Sequence, residues 1–495
     1  MTGLPRLGYH FAHEAGVLID PGGDLATILY RSGASVESIV EAQRAAGRLL
    51  PFAELDPAAF EDALSRLYRD SASEAAEVAA AVDDDLHALA ESAASVDDLL
   101  DQNDSAPVVR LINALLLEAV KEGASDIHIE MEERRLVVRF RVDGVLREVI
   151  QPKRSLAPLL VSRLKVMGKL DIAEKRLPQD GRVSLRVGGY ELDVRLSTIP
   201  SQYGERVVLR LLDRGQTRLG LAHLGMAPRD LEAFARILAR PDGLVLVTGP
   251  TGSGKTTSLY AALDRLNDRS RNIMTVEDPI EYAMDGVGQM QVDTRTDLTF
   301  ARGLRAILRQ DPDVIMVGEI RDGETARIAV ESAMTGHLVL STLHTNTAVG
   351  AVSRLVDMGV ERFLLAPMLR GLVAQRLVRR LCPDCAAPHE ATEAEAVLLS
   401  GAVPAGAGIR RATGCDACHG QGYRGRLPIY EVIETDAGIE RLIHDGAAES
   451  ELTRAARARG PGILQDAADK LRDGRTSVEE VARAVRDDGA AMAGV

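Results

Sequence analysis

The 495-residue chain has no tryptophan, only seven phenylalanines and only nine tyrosines. So few rings leave little for stacking on exposed bases, which argues against single-strand nucleic-acid binding. An excess of positive charge is also missing. The chain holds 59 basic and 73 acidic residues, a formal net charge of −14, and repels phosphate backbones unless charge segregates locally. No apolar run approaches the roughly 18–20 residues of a membrane-crossing helix. Stretches such as residues 114–117 and 244–247 are far shorter. The opening MTGLPRLGYH has no basic segment followed by an apolar one, so no secretory signal is expected. These absences predict a cytoplasmic protein that reaches a membrane only by binding something embedded there. Cysteine is scarce as well. The four present form two C-x-x-C pairs, which in a cytoplasmic chain read as metal ligands before disulfides.

Against these absences stand 46 % hydrophobic and 27 % charged residues, an ordinary globular composition, with length for about three domains. Residues 1–80 carry no catalytic motif and read as a small helical or mixed domain. Apolar spacing in residues 35–47 (SVESIVEAQRAAG) and 57–67 predicts amphipathic helices, with Tyr9, Phe11 and Phe52 expected in the core. Residues 81–104 hold eight acidic side chains and no lysine or arginine, and read as a solvated linker. A docking role for Leu99 and Leu100 is the alternative there. Ser105 and Pro107 then open a helix with Val109, Ile112, Leu115, Leu116 and Val120 on one face, ended by Gly123. Alternating strands follow at residues 136–142, 190–197 and 206–212, so residues 105–215 form an α+β domain. Residues 131–210 carry 17 basic and 10 acidic side chains. A polyphosphate ligand or a plain solvated face would account for that local excess.

From about residue 216 to 495 the pattern becomes α/β. Short apolar strands (GLVLVTG, NIMTVED, DVIMVGE, HLVLSTLH) alternate with helices, as in a parallel sheet covered on both faces. Gly249, Pro250, Thr251, Gly252, Ser253, Gly254, Lys255 and Thr256 match G-x-x-x-x-G-K-[ST] between a strand and a helix, with Thr257 next in line. Glycines let backbone N–H groups turn toward phosphates, Lys255 reaches the β- and γ-phosphates, and the Thr256 hydroxyl ligates Mg²⁺. Glu319 ends a hydrophobic strand and is the candidate general base. Glu277 and Asp278 end another strand and are candidates for the Mg²⁺ shell or for positioning water. Glu281 is either part of that set or a salt-bridge residue. His337 and His344 flank one strand as candidate γ-phosphate sensors, His344 the stronger of the two. Arg195 and Arg210 lie in the basic domain. They reach the transferring phosphoryl group if that domain closes over the nucleotide, and otherwise make strand-face salt bridges.

Cys382, Cys385, Cys415 and Cys418 form two knuckles separated by 29 residues. Four thiolates in this pairing suit a structural, tetrahedral Zn²⁺ site within an insertion at 380–425, held shut by the metal.

Taken together, GPTGSGKTT, TVEDPIEY, LTFARGLRAILRQDPDVIMVGEIRD, GHLVLSTLHTN and the tetracysteine insertion followed by GYRGRLPIYEV resemble the type II/type IV pilus secretion ATPase superfamily. Upstream, SAPVVRLINALLLEAVKEGASDIHIE and DVRLSTIPSQYGERVVLRLLD resemble its second N-terminal domain. Within the superfamily the chain is most similar to the type II secretion ATPases. The resemblance implies a RecA-like ATPase domain with a zinc-binding insertion, preceded by a PAS-like α+β domain and a partner-docking domain. It implies ATP and Mg²⁺ as substrate and cofactor, and a homohexamer peripheral to the inner membrane. Partners would be the cytoplasmic domain of a bitopic L-type protein and a platform protein, with no nucleic acid. By the same resemblance Glu319 is catalytic, Glu277 lies in an acidic box, His344 lies in a histidine box, and Arg195 and Arg210 contact phosphate. Pilus extension, a nucleic-acid translocase and a nucleotide-gated scaffold are the competing functions. Low aromatic content and acidity argue against the translocase, and Glu319 with Lys255 argues against the scaffold.

Overall fold

The computed structural model describes residues 15–20, 26–46, 49–57, 59–60, 63, 107–187, 190–213 and 220–485. Near the start, strands Val17–Asp20, Thr27–Arg31 and Phe52–Leu55 form one sheet. The first pair is antiparallel and the second parallel. A parallel pair needs a crossover. Helix Val36–Ala46, expected from its apolar spacing, lies in that connection. The strands are four or five residues each, too short for their alternation to stand out in the sequence. Phe52 departs from expectation: it is 52 % exposed rather than in the core, because Phe52 and Glu54 point outward along their strand. Tyr9, Phe11, the acidic stretch 81–104 and the Ser105 cap lie outside the described residues.

Helix Pro107–Lys121 buries Leu111, Ile112, Leu115 and Leu116, and Gly123 ends it at φ +67°. With helix Ala157–Met167 it packs on a six-stranded antiparallel sheet. The strand order is Val145–Ile150, Leu136–Val142, Ala124–Met131, Gly204–Asp213, Tyr190–Ser201, Gln179–Val187. Ile127 and Ile129 face this core, so the alternating Asp126, His128 and Glu130 face the other way. That second face is charged. Glu130 pairs with Arg139 at 2.6 Å and also with Arg206, while Asp126 accepts from Arg210 Nε at 2.8 Å. The chain divides into two compact units, Met1–Arg214, which holds both of these sheets, and Gly215–Val495.

The second unit is built on a seven-stranded sheet. Its order is Val287–Gln291, Ile273–Glu277, Val314–Val317, Leu338–Leu343, Gly243–Thr248, Leu369–Leu381, Tyr423–Glu434. All neighbours are parallel except the last pair. In the strand Gly243–Thr248, Val245 and Val247 pack with Phe234, Leu259 and Leu263 on one side. Leu244 and Leu246 pack with Leu304 and Ala329 on the other. Helices therefore cover both faces, and the continuous apolar run in the sequence reflects that double burial.

Between the last two strands the cysteine insertion forms the hairpin Ala387–Glu390 with Gly408–Arg411 and the helix Glu393–Leu398. A reciprocal Thr392–Glu395 cap starts that helix. Ala391, Leu399, Val403 and Ile409 pack against Ile463, Ala467 and Leu471 of the tail helix Ile463–Arg472. Apolar packing thus holds the insertion in addition to its cysteines. No helix among the described residues is long and apolar enough to cross a membrane.

Candidate active site

Parallel strands deliver their C-terminal ends to one edge of the sheet, and the loops there are where such folds bind ligands. Here that edge brings together the glycine loop after Thr248, the acidic turn after Val276, Glu319 after Val317 and His344 after Leu343.

The glycine loop is dictated by φ and by close approach. Gly249, Gly252 and Gly254 stand at φ +148°, +78° and +88°. A Cβ on Gly249 would lie 2.4 Å from the Gln375 carbonyl oxygen, and one on Gly254 would lie 2.8 Å from Gln375 Nε2. Helix Lys255–Leu266 starts immediately after, so its first N–H groups and its dipole point at the loop. Pro250, Thr251, Thr256 and Thr257 are exposed around it, while Ser253 and Lys255 are buried. Lys255 Nζ donates to the Gly249 and Pro250 carbonyls at 2.8 and 3.0 Å. Burial pulls its pKa down to about 8, Arg376 adds to that pull, and Glu319 opposes it. Ser253 Oγ is buried with no hydrogen-bond partner among the described residues. A buried hydroxyl in that condition is costly, and an incoming phosphate oxygen would satisfy it. The loop therefore fits a nucleotide polyphosphate, with the exposed Thr256 hydroxyl available to Mg²⁺.

Glu319 is steadied from two sides. Arg321 donates to its Oε1, and His344 Nε2 lies 3.2 Å from its Oε2. Burial pushes the Glu319 carboxyl up, but the charges and hydrogen bonds of Arg321 and His344 outweigh it and hold the pKa below the ordinary carboxylate value. Thr342 Oγ1 donates to the Gly318 carbonyl at 2.8 Å and fixes the turn that presents Glu319.

Glu277 is 2 % exposed and receives hydrogen bonds from Thr275, Gln289 and Tyr260. Asp278 pairs with Arg321 at 3.5 Å. His337 does not belong to this edge. It precedes the strand that His344 follows, so six residues of about 3.3 Å each separate them along the sheet. Its Nδ1 lies 2.8 Å from the Ser332 carbonyl at the end of a helix. The γ-phosphate role expected for it gives way to a capping one.

Sequence reading also missed Gln375 and Arg376, which lie within the strand Leu369–Leu381, just past its last residue paired with the loop strand. Gln375 Oε1 accepts from Ser258 Oγ at 2.8 Å. The buried Arg376 donates to the carbonyls of Gln375 and Asn346. No sequence motif marks them; only the neighbouring strand's register places them beside the loop.

In the other unit, Arg182, Arg195, Arg210, Asp126 and Arg141 stand in one cross-strand row. Side chains directly opposite share a face. Arg195 and Arg210 are thus side by side, and Arg210 keeps the Asp126 salt bridge that was the plainer alternative. That row places four guanidiniums of the basic stretch 131–210 beside one carboxylate.

The four cysteine sulfurs lie within 4.8 Å of one another. Cys382–Cys415, Cys385–Cys418 and Cys415–Cys418 are 3.9, 3.8 and 3.7 Å apart. Tetrahedral Zn–S bonds of about 2.3 Å require sulfurs roughly 3.8 Å apart, so the donor set fits zinc. Burial pushes the Cys415 thiol up to about 12, while at Cys418 the N–H groups of Cys415 and Gly422 outweigh burial and bring the thiol down to about 7.

Residues 101–483 match the family model described as Type II/IV secretion system protein, and residues 6–68 match the model of an N-terminal domain of GSPII protein E. The chain is 56 % identical over 485 residues to the type II secretion system protein E of Pseudomonas aeruginosa, covering 98 % of this chain and 97 % of the relative. It belongs to the type II secretion protein E family. The type II secretion system ATPase E of Vibrio cholerae is 54 % identical, with the same coverage of each chain. Among solved structures, the pilus retraction motor PilT with bound ADP is 27 % identical with a TM-score of 0.52, covering 75 % of this chain and 96 % of PilT. The Legionella pneumophila ATPase DotB, 23 % identical with a TM-score of 0.57 over 77 % of this chain and 95 % of its own, shares the fold. The family's function lies in type II secretion. Its relatives at more than half identity are type II secretion proteins, so the pilus-extension alternative is not favoured.

Proposed function

We propose that this family member is a P-loop ATPase whose hydrolysis cycle drives pseudopilus assembly and so the release of folded proteins. The observation that carries the reading is a Glu319 anchored on both oxygens, by Arg321 and His344, at the same sheet edge as the Lys255 loop. In this reading Gly249 to Thr257 wrap the phosphates, and Lys255 leaves its loop carbonyls for the β- and γ-phosphate oxygens. Thr256 holds Mg²⁺, which when bound neutralises phosphate charge. Glu319 orients the attacking water and takes its proton. A low pKa makes Glu319 a weak base, but a loose phosphoryl-transfer transition state depends more on orientation than on basicity. His344 fixes the Glu319 rotamer. Glu277 and Asp278 supply the acidic edge beside it. Arg195 and Arg210, side by side on their sheet, are the candidates to supply positive charge to the transferring phosphoryl group.

Zinc at the four cysteines is structural. We assign the working form to a homohexamer at the cytoplasmic face of the inner membrane. It would dock through residues 1–80 on a bitopic partner's cytoplasmic domain and contact a platform protein. Phosphate release by the purified chain tests the reading. Turnover lost in a folded Lys255→Ala variant supports it; equal turnover in that variant contradicts it.

A further inference from the structure

Tyr260 is a buried phenol to which the mechanism above assigns nothing. It lies on helix Lys255–Leu266, little more than one turn past Lys255, and is 1 % exposed. Its ring meets that of Tyr282 edge to face, centroids 4.5 Å apart. Its hydroxyl donates to Glu277 Oε2 and accepts from the Glu281 N–H at 3.2 Å. The other Glu277 oxygen accepts from Thr275 Oγ1 at 2.6 Å and from Gln289 Nε2 at 3.1 Å. Three donors thus surround one buried carboxylate, and little of it remains for an ion or a water. A phenylalanine would fill the same space, so only the hydroxyl requires tyrosine.

We propose that Tyr260 is a positioning residue for the ATPase reaction. Its hydroxyl fixes the Glu277 carboxylate, and Glu277 in turn sets Asp278, whose partner Arg321 holds Glu319. The path runs from the phosphate-loop helix to the water-orienting carboxylate through Tyr260–Glu277, the Glu277–Asp278 peptide, Asp278–Arg321 and Arg321–Glu319. Burial and the Glu277 charge push the Tyr260 phenol far above its ordinary value, so its proton stays in place at any working pH. Glu277 then acts through its neighbours rather than on the nucleotide. The inference rests on the ATPase reading.

The experiment compares the full chain with Tyr260→Phe, Glu277→Gln, the double variant and Glu319→Gln. It measures ATP turnover, fluorescent-nucleotide affinity and melting temperature. Tyr260→Phe should lower kcat about tenfold, the worth of one charge-assisted hydrogen bond, and leave nucleotide affinity within about twofold. The double variant should be no slower than Glu277→Gln alone. Parent-level kcat in Tyr260→Phe, losses that multiply in the double variant, or kcat and affinity falling together with the melting temperature would each overturn the proposal. A parent that turns over while Glu319→Gln does not shows that the ATPase reading stands whatever Tyr260→Phe does. A parent without turnover overturns both.

Discussion

Oε2 of Glu319 and Nε2 of His344 lie 3.2 Å apart, joining the ends of two neighbouring parallel strands. The pair turns two separate sequence candidates into one device. In the proposed reading this carboxylate orients the attacking water; the imidazole, with Arg321 on the other oxygen, holds its rotamer and lowers its pKa.

Removing the imidazole should therefore act on turnover and on pH dependence together. His344→Ala should lower kcat about ten- to hundredfold, the ~1.5–3 kcal/mol of a hydrogen bond to a charged group. Glu319 is active when ionised, and its pKa is held down, so the acidic limb of the parent's profile should lie below the ordinary carboxylate range. In His344→Ala and Arg321→Ala, burial goes less opposed, so that limb should move toward neutral pH. The pH dependence of phosphate release in the three proteins checks the direction.

Lys255 gives a second pH signature. Its pKa near 8 without a bound phosphate means that a triphosphate, which favours the charged amine, must raise it. Nucleotide affinity should be flat below pH 8 and fall by up to about tenfold per pH unit above it. Titration calorimetry from pH 7 to 9.5 measures this.

The phosphate-loop glycines should not be equivalent. A Cβ at Gly252 meets nothing within 4 Å, so Gly252→Ala carries only the left-handed backbone cost of about 1–2 kcal/mol. A Cβ at Gly249 would lie 2.4 Å from the Gln375 carbonyl oxygen and 2.6 Å from Ser253 Oγ. Gly249→Ala should displace the loop and abolish measurable nucleotide binding, while Gly252→Ala keeps it within about thirtyfold. Equilibrium binding of a fluorescent nucleotide separates the two.

Metal removal should be felt locally. The purified chain should carry one zinc, and Cys415→Ser should lose it. The apolar contacts of Ile409 and Val403 with Ile463 and Leu471 remain in that variant. Proteolysis should accordingly open the knuckles while the rest of the second unit stays folded. Metal analysis and limited digestion test both parts.

Arg210→Ala should lower kcat by about a hundredfold or more while changing nucleotide affinity far less, the mark of a cation that acts on the transferring group. Parallel losses in both quantities would reduce Arg210 to its salt bridge with Asp126. Steady-state kinetics with direct binding distinguishes the outcomes.

Much of this site was legible because its chemistry demands contiguous residues. The loop from Gly249 to Thr256 and the two C-x-x-C pairs are local constraints, visible without the fold. Glu319 was legible for a weaker reason, as a carboxylate ending a buried strand. His337 was misplaced because flanking a strand looks alike at either end, and only strand direction tells the ends apart. Gln375 and Arg376 were invisible: they reach the loop across a strand pair more than a hundred residues away in sequence. The hydrogen bond from Tyr260 to Glu277 was equally hidden, because a tyrosine's place in a helix gives no sign of its hydroxyl's target. Phe52 misled because a ring on a four-residue edge strand can point outward as easily as inward.

The most direct test is Glu319→Gln, a change that keeps the shape of the side chain and removes its charge. The account predicts nucleotide bound at close to the parent's affinity and phosphate release slowed at least about a hundredfold, as removing a general base requires. Phosphate release at the parent's rate, with the nucleotide equally well bound, would contradict it.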